Sequence, residues 1–301
     1  MPWQSISLQL AEREAEALSD ALLESGAISV TIEDAQAGTP QEIAQYAEPE
    51  WDAPAAWRQS HLEVLLSQDA DADQVLRAAA RAAGLATLPV LKRESVGDLD
   101  WVERCRAQFA PQRIGVRLWI VPSWRTAPAD PGCVVIRLDP GLAFGTGAHP
   151  STRAVLSWLE ASLVGNCTPA ARVLDYGCGS GILAIAAGKL GAAQVDAVDT
   201  DPQALVATRD NAQRNGVALR ALLPDALPDS EYDIVVANIL ANPLVALAPR
   251  LTALTRRGGR LVLAGVLSSQ AAALIHAYRP AFEIRVATTE DGWALLEGVR
   301  R

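Results

Sequence analysis

Residues 172–191 read RVLDYGCGSGILAIAAGKLG, and this stretch decides the fold. An apolar strand, RVLDYG, runs straight into the turn Gly177-Cys178-Gly179-Ser180-Gly181, and a helix follows with no linker. Glycine permits so tight a turn and lets a ligand approach the backbone closely. A second strand, QVDAVDTD, comes next and carries Asp199 at its end, 22 residues beyond Gly177. In open α/β sheets a carboxylate at that point accepts hydrogen bonds from ribose hydroxyls. The expectation is an adenosine-type cofactor at the carboxyl ends of the strands.

The glycines alone leave the cofactor open, because Gly179-Ser180-Gly181-Ile182-Leu183-Ala184 also fits the looser dinucleotide fingerprint. Asp175 favours one side. A carboxylate two residues before the first glycine is electrostatically wrong for the phosphates of a dinucleotide, and suits the amino group and positive sulfur of S-adenosylmethionine. A turn that merely tightens a strand–helix junction, and a nicotinamide site, remain as alternatives.

From residue 150 the chain alternates helix and strand. STRAVLSWLEASL is helical, PQALVATRDNAQRNG is helical, YDIVVANI is a strand, PLVALAPRLTALTRRGG is a single helix, RLVLAGV is a strand and SSQAAALIHAYRP is a helix. The end, FEIRVATTEDGWALLEGVR, reads as two strands joined at Glu290-Asp291-Gly292. Such alternation means a mostly parallel sheet covered on both faces, here closed by an antiparallel hairpin.

Upstream the rhythm differs. Strands at 3–10, 28–34, 61–67 and 88–94 and helices at 11–25 and 71–84 give the order β-α-β-β-α-β, a split-βαβ or ferredoxin-like unit. Residues 35–59 read as a polar loop and 98–109 as a connecting helix. RIGVRLWIVPSW (113–124) and CVVIRLDP (133–140) are expected as strands on either side of the turn-rich TAPADPG. The division is a small α+β domain at 1–95, a connector at 96–112 and an α/β domain at 113–301.

Composition bounds the rest. Half of the 301 residues are hydrophobic and a fifth are charged, with a net charge of −9. That balance argues against general electrostatic binding of nucleic acid and suits a basic protein partner. Four cysteines without a CxxC pair and three scattered histidines argue against zinc or a disulfide framework. The start has no signal-peptide pattern, and no apolar run approaches the roughly 20 residues of a membrane span. A cytoplasmic monomer is expected, with no metal, no membrane association and no direct contact with nucleic acid.

Asn238 follows the apolar run of its strand in VVANILANP. An amide there can accept a hydrogen bond from an attacking N–H while its own NH₂ binds elsewhere; a capping role is the alternative. The glycine-rich DPGLAFGTGAHPST (139–152) precedes the helix before the cofactor strand, so it reads as a wall of the same pocket. Phe144 would supply apolar surface, the glycines at 145 and 147 room, and Thr152 either a hydroxyl to the ligand or a helix cap.

Taken in order, LDPGLAFGTGAHPST, DYGCGSGILAIAAGKLGA, DPQAL, RDNAQRNGV and VVANILANPL closely resemble the ribosomal protein L11 methyltransferases, the PrmA family. The opening MPW, LLESGAISVT and RLWIVPSW (117–124) extend the match across nearly the whole chain. The resemblance implies a class I methyltransferase domain joined to a small domain that grips the ribosomal protein. It implies S-adenosylmethionine as donor, and lysine side chains plus an α-amine of that large-subunit protein as acceptors. By position it implies cofactor contacts from Thr152, Gly177, Asp199 and Asn238. No general base is nominated; His149 is the one histidine near the motifs and equally serves the loop's own hydrogen bonding. The other classes considered are a turnover-dead binding module and a nicotinamide oxidoreductase.

Overall fold

The computed structural model of the protein describes residues 3–37, 39, 57, 59–96, 109–130, 132–139, 147, 149–164 and 171–301. The chain divides into two compact units, Met1–Gln108 and Phe109–Arg301.

In the first unit β1 (Trp3–Leu10), α1 (Glu12–Glu24), β2 (Ser29–Asp34), β3 (Ser60–Ser67), α2 (Ala72–Ala82) and β4 (Val90–Val96) follow one another. The strands form one antiparallel sheet in the order β2-β3-β1-β4. Alternation does the work in β1, where Ile6, Leu8 and Leu10 are buried against the inner stripe of α1, Ala15, Leu18, Ala21 and Leu22. α2 starts where Asp71 accepts the Gln74 N–H at 3.0 Å, a side-chain cap for one of the orphan donors of its first turn. The ferredoxin-like order expected from the pattern is the one found. The loop at 35–59 lies largely outside the described residues, as do most of the connecting helix at 98–109 and Cys105 and Cys167.

The second unit opens with β5 (Gln112–Ile114), β6 (Leu118–Val121) and β7 (Val134–Arg137), a separate three-stranded sheet in that order. The single strand expected at 113–124 is therefore a hairpin. The chain reverses at Gly115, whose φ of +62 suits glycine. Glu160 fixes the reversal, its buried carboxylate accepting from the N–H groups of Val116, Arg117 and Leu118 at 2.7, 2.5 and 3.1 Å.

The remaining elements are α3 (Pro150–Val164), β8 (Arg172–Tyr176), α4 (Ile182–Lys189), β9 (Gln194–Val198), α5 (Pro202–Asn215), β10 (Arg220–Leu222), β11 (Tyr232–Asn238), α6 (Ala241–Ala246), α7 (Ala248–Leu254), β12 (Thr255–Leu267), α8 (Ala271–Tyr278), β13 (Phe282–Glu290) and β14 (Trp293–Arg300). The sheet order is β10-β9-β8-β11-β12-β14-β13. β10 through β12 run parallel, while β14 is antiparallel to both β12 and β13. The strand order reverses direction between β8 and β11, the switch point at which open α/β sheets bind ligands. α3, α4 and α5 pack on one face of the sheet, and α6, α7 and α8 on the other.

Two further expectations are corrected. The single helix read at 243–259 is two short helices, because Pro249 enters the chain in the first turn of α7 and cannot donate into a continuing α6. Its Thr-Arg-Arg-Gly-Gly tail belongs to β12. The three-residue β10 had no readable signal.

Candidate functional site

The glycine turn sits at the carboxyl end of β8, where the chain leaves the sheet for α4. Gly177, Gly179 and Gly181 all take left-handed backbone, with φ of +84, +52 and +79. Side chains are excluded as well as strained: a Cβ on Gly177 would lie 2.3 Å from Ile239 Cγ2, and one on Gly181 would lie 2.8 Å from Thr208 Cγ2. The neighbouring strand holds the turn in place, since Val198 O accepts from Gly177 N at 2.7 Å and from Cys178 N at 2.9 Å. α4 then leaves as a helix apolar on every side, with Ile182 through Ala187 all buried.

Asp199 stands at the end of β9, half-buried. Its Oδ2 accepts the Gly179 N–H at 2.9 Å and its Oδ1 the Asp201 N–H at 3.0 Å, so each oxygen keeps a further lone pair. Asp201 in turn caps α5 through Gln203 N at 2.8 Å. The carboxylate thus braces the glycine turn as well as facing the strand ends.

Asp175 lies beneath the turn, wholly buried. One oxygen accepts the Ala184 N–H at 3.0 Å, while Oδ1 has no hydrogen-bond partner. Burial pushes its carboxyl up to about 7; the Ala184 hydrogen bond opposes that rise and the nearby Asp199 charge adds to it. The carboxylate that sequence reading aimed outward is therefore a buried group without a full set of partners.

Asn238 ends β11, next to the Ile239 that packs against Gly177. Its Nδ2 donates to Thr152 Oγ1 at 3.1 Å, and its buried Oδ1 has no partner. Thr152 is the third residue of α3 and is buried, so it stands inside the first turn and not at the cap. Of the four residues singled out, the structure joins Thr152 to Asn238 by a direct bond, and ties Asp199 through Gly179 N to the turn that Gly177 opens.

His149 packs edge-on to Trp293 with ring centroids 4.4 Å apart, and its Nδ1 lies 2.8 Å from Ser151 Oγ. Burial lowers its pKa and the nearby Arg153 charge adds to this. Phe144 and Gly145, the expected apolar wall and hinge, lie outside the described residues. Gly147, at the described end of that stretch, is buried, and a Cβ there would lie 3.1 Å from Ile182 Cδ1, at the start of α4. Gly147 of the first glycine-rich stretch therefore lies against the helix that leaves the second. Sequence reading did not single out Glu160 or the buried Thr208 and Asn211 of α5, all of them polar residues within segments read only as helices.

The residues present fit a small ligand rich in hydroxyl and ammonium donors, as S-adenosylmethionine is. Backbone without side chains borders a half-buried carboxylate, and two buried acceptor oxygens, Asp175 Oδ1 and Asn238 Oδ1, lack partners among the described residues. Buried acceptors without donors are costly and point to a ligand that supplies them.

A parallel sheet closed by an inserted antiparallel strand, with the glycine turn on its first central strand, defines the class I methyltransferases. A crystal structure of a ribosomal protein L11 methylase from Lactobacillus delbrueckii subsp. bulgaricus matches at a TM-score of 0.57 and 33% identity, covering 64% of this chain and 100% of that one. The family model described as Ribosomal protein L11 methyltransferase (PrmA) matches residues 2–301. Relatives named ribosomal protein L11 methyltransferase are 51% identical in Thiobacillus denitrificans and 49% identical in Neisseria meningitidis serogroup A, each over 301 residues and the full length of both chains. The chain belongs to the ribosomal protein L11 methyltransferase (PrmA) family.

Proposed function

We propose that this chain transfers methyl groups from S-adenosylmethionine to ribosomal protein L11, and that the acceptors are lysine side chains and the N-terminal α-amine. The donor and the protein substrate follow from family membership and from the relatives' names. The acceptor class rests on one observation: Asn238 spends its NH₂ on Thr152 and leaves a buried acceptor oxygen at the carboxyl end of β11. An amine brought to that point donates its N–H there and turns its lone pair towards the methyl group. Thr152, Gly177, Asp199 and Asn238 are the residues assigned to the donor pocket and its edge.

The sulfonium donor is already activated when bound, so this chain's task is to deliver a neutral amine in line. A lysine near pKa 10.4 costs about 4 kcal/mol to deprotonate at neutral pH, and an α-amine near 8 about 1 kcal/mol. Desolvation and a neighbouring positive sulfur both lower that cost, and alignment supplies further rate. No side chain is assigned as general base.

Residues 1–95 are assigned to substrate recognition, 96–112 to the connector and 113–301 to methyl transfer. Charge supports the division. Residues 1–95 carry 16 Asp and Glu against 6 Lys and Arg, a net of −10, whereas 96–301 carry 19 against 20. The whole acidic excess lies in residues 1–95, where a basic ribosomal protein would dock. Among the described residues no helix is long and apolar enough to cross a membrane. A monomer without direct nucleic-acid contact fits this reading.

The test is incubation of the full chain with labelled donor and purified L11, followed by mass spectrometry of the product. Methyl groups on lysine and α-amine nitrogens are expected; label confined to carboxylate or amide side chains would overturn the acceptor class. Heat on titration with NADH and none with S-adenosylmethionine would restore the oxidoreductase. Removal of 1–95 should abolish transfer to L11, and undiminished transfer would sink the recognition role.

A further inference from the structure

α5 carries a buried polar row where an aliphatic one would have served the core. Thr208, Asn211 and Asn215 stand at i, i+3 and i+7 on its inner face, none more than 9% exposed. Each side chain makes a hydrogen bond. Thr208 Oγ1 donates to Gly179 O at 3.0 Å, with Cys178 Sγ 3.3 Å from the same hydroxyl. Asn211 Nδ2 donates to Ser180 O at 2.9 Å. Asn215 accepts from Arg137 N at 2.7 Å and donates to Arg137 O and Asn211 O, both at 2.8 Å, which ties the row to the end of β7.

What Thr208 and Asn211 grasp are two successive peptide carbonyls of the glycine turn. Left-handed glycines on either side of Ser180 open other orientations to those peptide planes, the second of which is otherwise tied within the turn, by Gly181 N–H to Cys178 O at 2.8 Å. A turn held only by its own backbone would sample several orientations, and a ligand would then spend binding energy selecting one. Packing alone does not explain the row, because a valine at 208 fills the same space against Gly181.

We propose that Thr208 and Asn211 are positioning residues for the methyl donor: by pinning the Gly179 and Ser180 carbonyls to α5, they fix the glycine turn in its receiving conformation before the donor arrives. The proposal rests on the reading of this turn as the donor site. It acts on donor binding and not on the transfer step.

Thr208→Val and Thr208→Ser separate hydroxyl from shape. Thr208→Val is expected to raise the Kd for S-adenosylmethionine, measured by calorimetry on the full chain, about tenfold, or about 1.4 kcal/mol, the size of one buried hydrogen bond. KM for the donor should rise in parallel, with kcat at saturating donor within about twofold of the parent. Thr208→Ser should restore the parental Kd. Asn211→Ser, too short to reach the Ser180 carbonyl, is a second arm with the same expected tenfold rise, and it decides the matter if Thr208→Val does not fold. Parental Kd in the folded fraction of Thr208→Val or Asn211→Ser, with only the melting temperature lowered, would overturn the proposal. So would a Thr208→Ser variant as weak as Thr208→Val. Parent protein that fails to bind the donor would overturn the donor-site reading itself, an outcome distinct from parent that binds and variants that bind equally well.

Discussion

The buried Asp175 carboxyl makes the stability of this protein depend on pH in a direction opposite to that of an ordinary paired carboxylate. Burial raises it from 3.8 to about 7 in the folded chain. Between those values the native state holds a proton that the unfolded chain has released. Stability is therefore fully supported below pH 4 and falls as pH rises through 7, above which the ionised carboxylate is carried at constant cost. At pH 5.5 the group sits about 1.5 units below its folded value, worth about 2 kcal/mol at 1.36 kcal/mol per unit; at pH 8 that contribution is close to zero. Asp175→Asn keeps the shape and the acceptor for Ala184 N–H but cannot ionise. Urea unfolding of parent and variant at pH 5.5 and pH 8 isolates the effect, because every other titrating group, His149 included, cancels in the difference. The variant should gain on the parent by about 2 kcal/mol on going to pH 8. A gap that stays the same at both pH values would refute the reasoning, and would mean that Asp175 Oδ1 has a donor that stabilises its charge. If the cationic methyl donor binds over this turn, it should expel the proton, so calorimetry at pH 6.5 in buffers of different ionisation enthalpy should register proton release.

Glu160→Gln removes a charge-assisted acceptor shared by three N–H groups of the β5–β6 turn; a loss of about 2–3 kcal/mol in urea unfolding is expected, with amide exchange at 116–118 accelerated. Tyr232→Phe deletes the 2.6 Å bond from a fully buried hydroxyl to Asp196 and should cost about 1–3 kcal/mol without changing donor affinity. Gly177→Ala and Gly216→Ala form a matched pair. Both glycines are left-handed, but a Cβ at 216 meets nothing within 4 Å whereas one at 177 lies 2.3 Å from Ile239. Gly216→Ala should cost about 1–2 kcal/mol of stability and leave donor binding unchanged, while Gly177→Ala should lower both; equal donor affinity in the two would detach Gly177 from the pocket.

Much of the fold was legible because its signals are local. RVLDYGCGSG fixes a strand and a turn within ten residues and marks the start of the helix that follows, and Asp291-Gly292 fixes the last hairpin, where φ is +50 and +80. The signals failed where a distant residue decides. Nothing near Gly115 announces a reversal, since apolar residues continue on both sides; the buried Glu160, more than forty residues away, holds it. α6 and α7 read as one helix because Pro249 is tolerated in a first turn, and only the packing tells which turn it begins. Thr208 and Asn211 went unmarked within a segment read as a helix, because the period of α5 does not reveal that the carbonyls of the glycine turn lie opposite them. The candidate-site residues on strand ends carry local sequence signals, and the side chains that bond to them from elsewhere in the fold do not.

The two edges of the large sheet explain how such bare backbone is kept in one conformation. At the amino ends of the parallel strands, carboxylates are paired with arginines and backbone N–H groups. Arg172 N donates to Asp233 at 2.8 Å, and Arg256 bonds the same carboxylate at 2.5 Å. Nearby, Asp196 takes two bonds from Arg220 at 2.6 Å and a third from Tyr232. Burial alone would raise the Asp196 carboxyl, yet these bonds outweigh burial and hold it below the usual range. At the carboxyl ends the pattern inverts, with left-handed glycines, a carboxyl pushed up to about 7 and two acceptors without donors. Among the described residues the amino edge has one buried group without a partner, Arg172 Nε, beside its ion pairs, whereas the carboxyl edge gathers left-handed glycines and two lone acceptors; a folded chain tolerates such breaches where function needs them and rigid neighbours offset them. A ligand that brings donors to Asp175 and Asn238 removes the breach, so binding should stabilise this edge of the sheet more than the other. Amide exchange at 177–181 should then slow on binding of the methyl donor, and at 238–240 once an acceptor amine is bound as well, while exchange at 172–174 and 232–234 stays as it was.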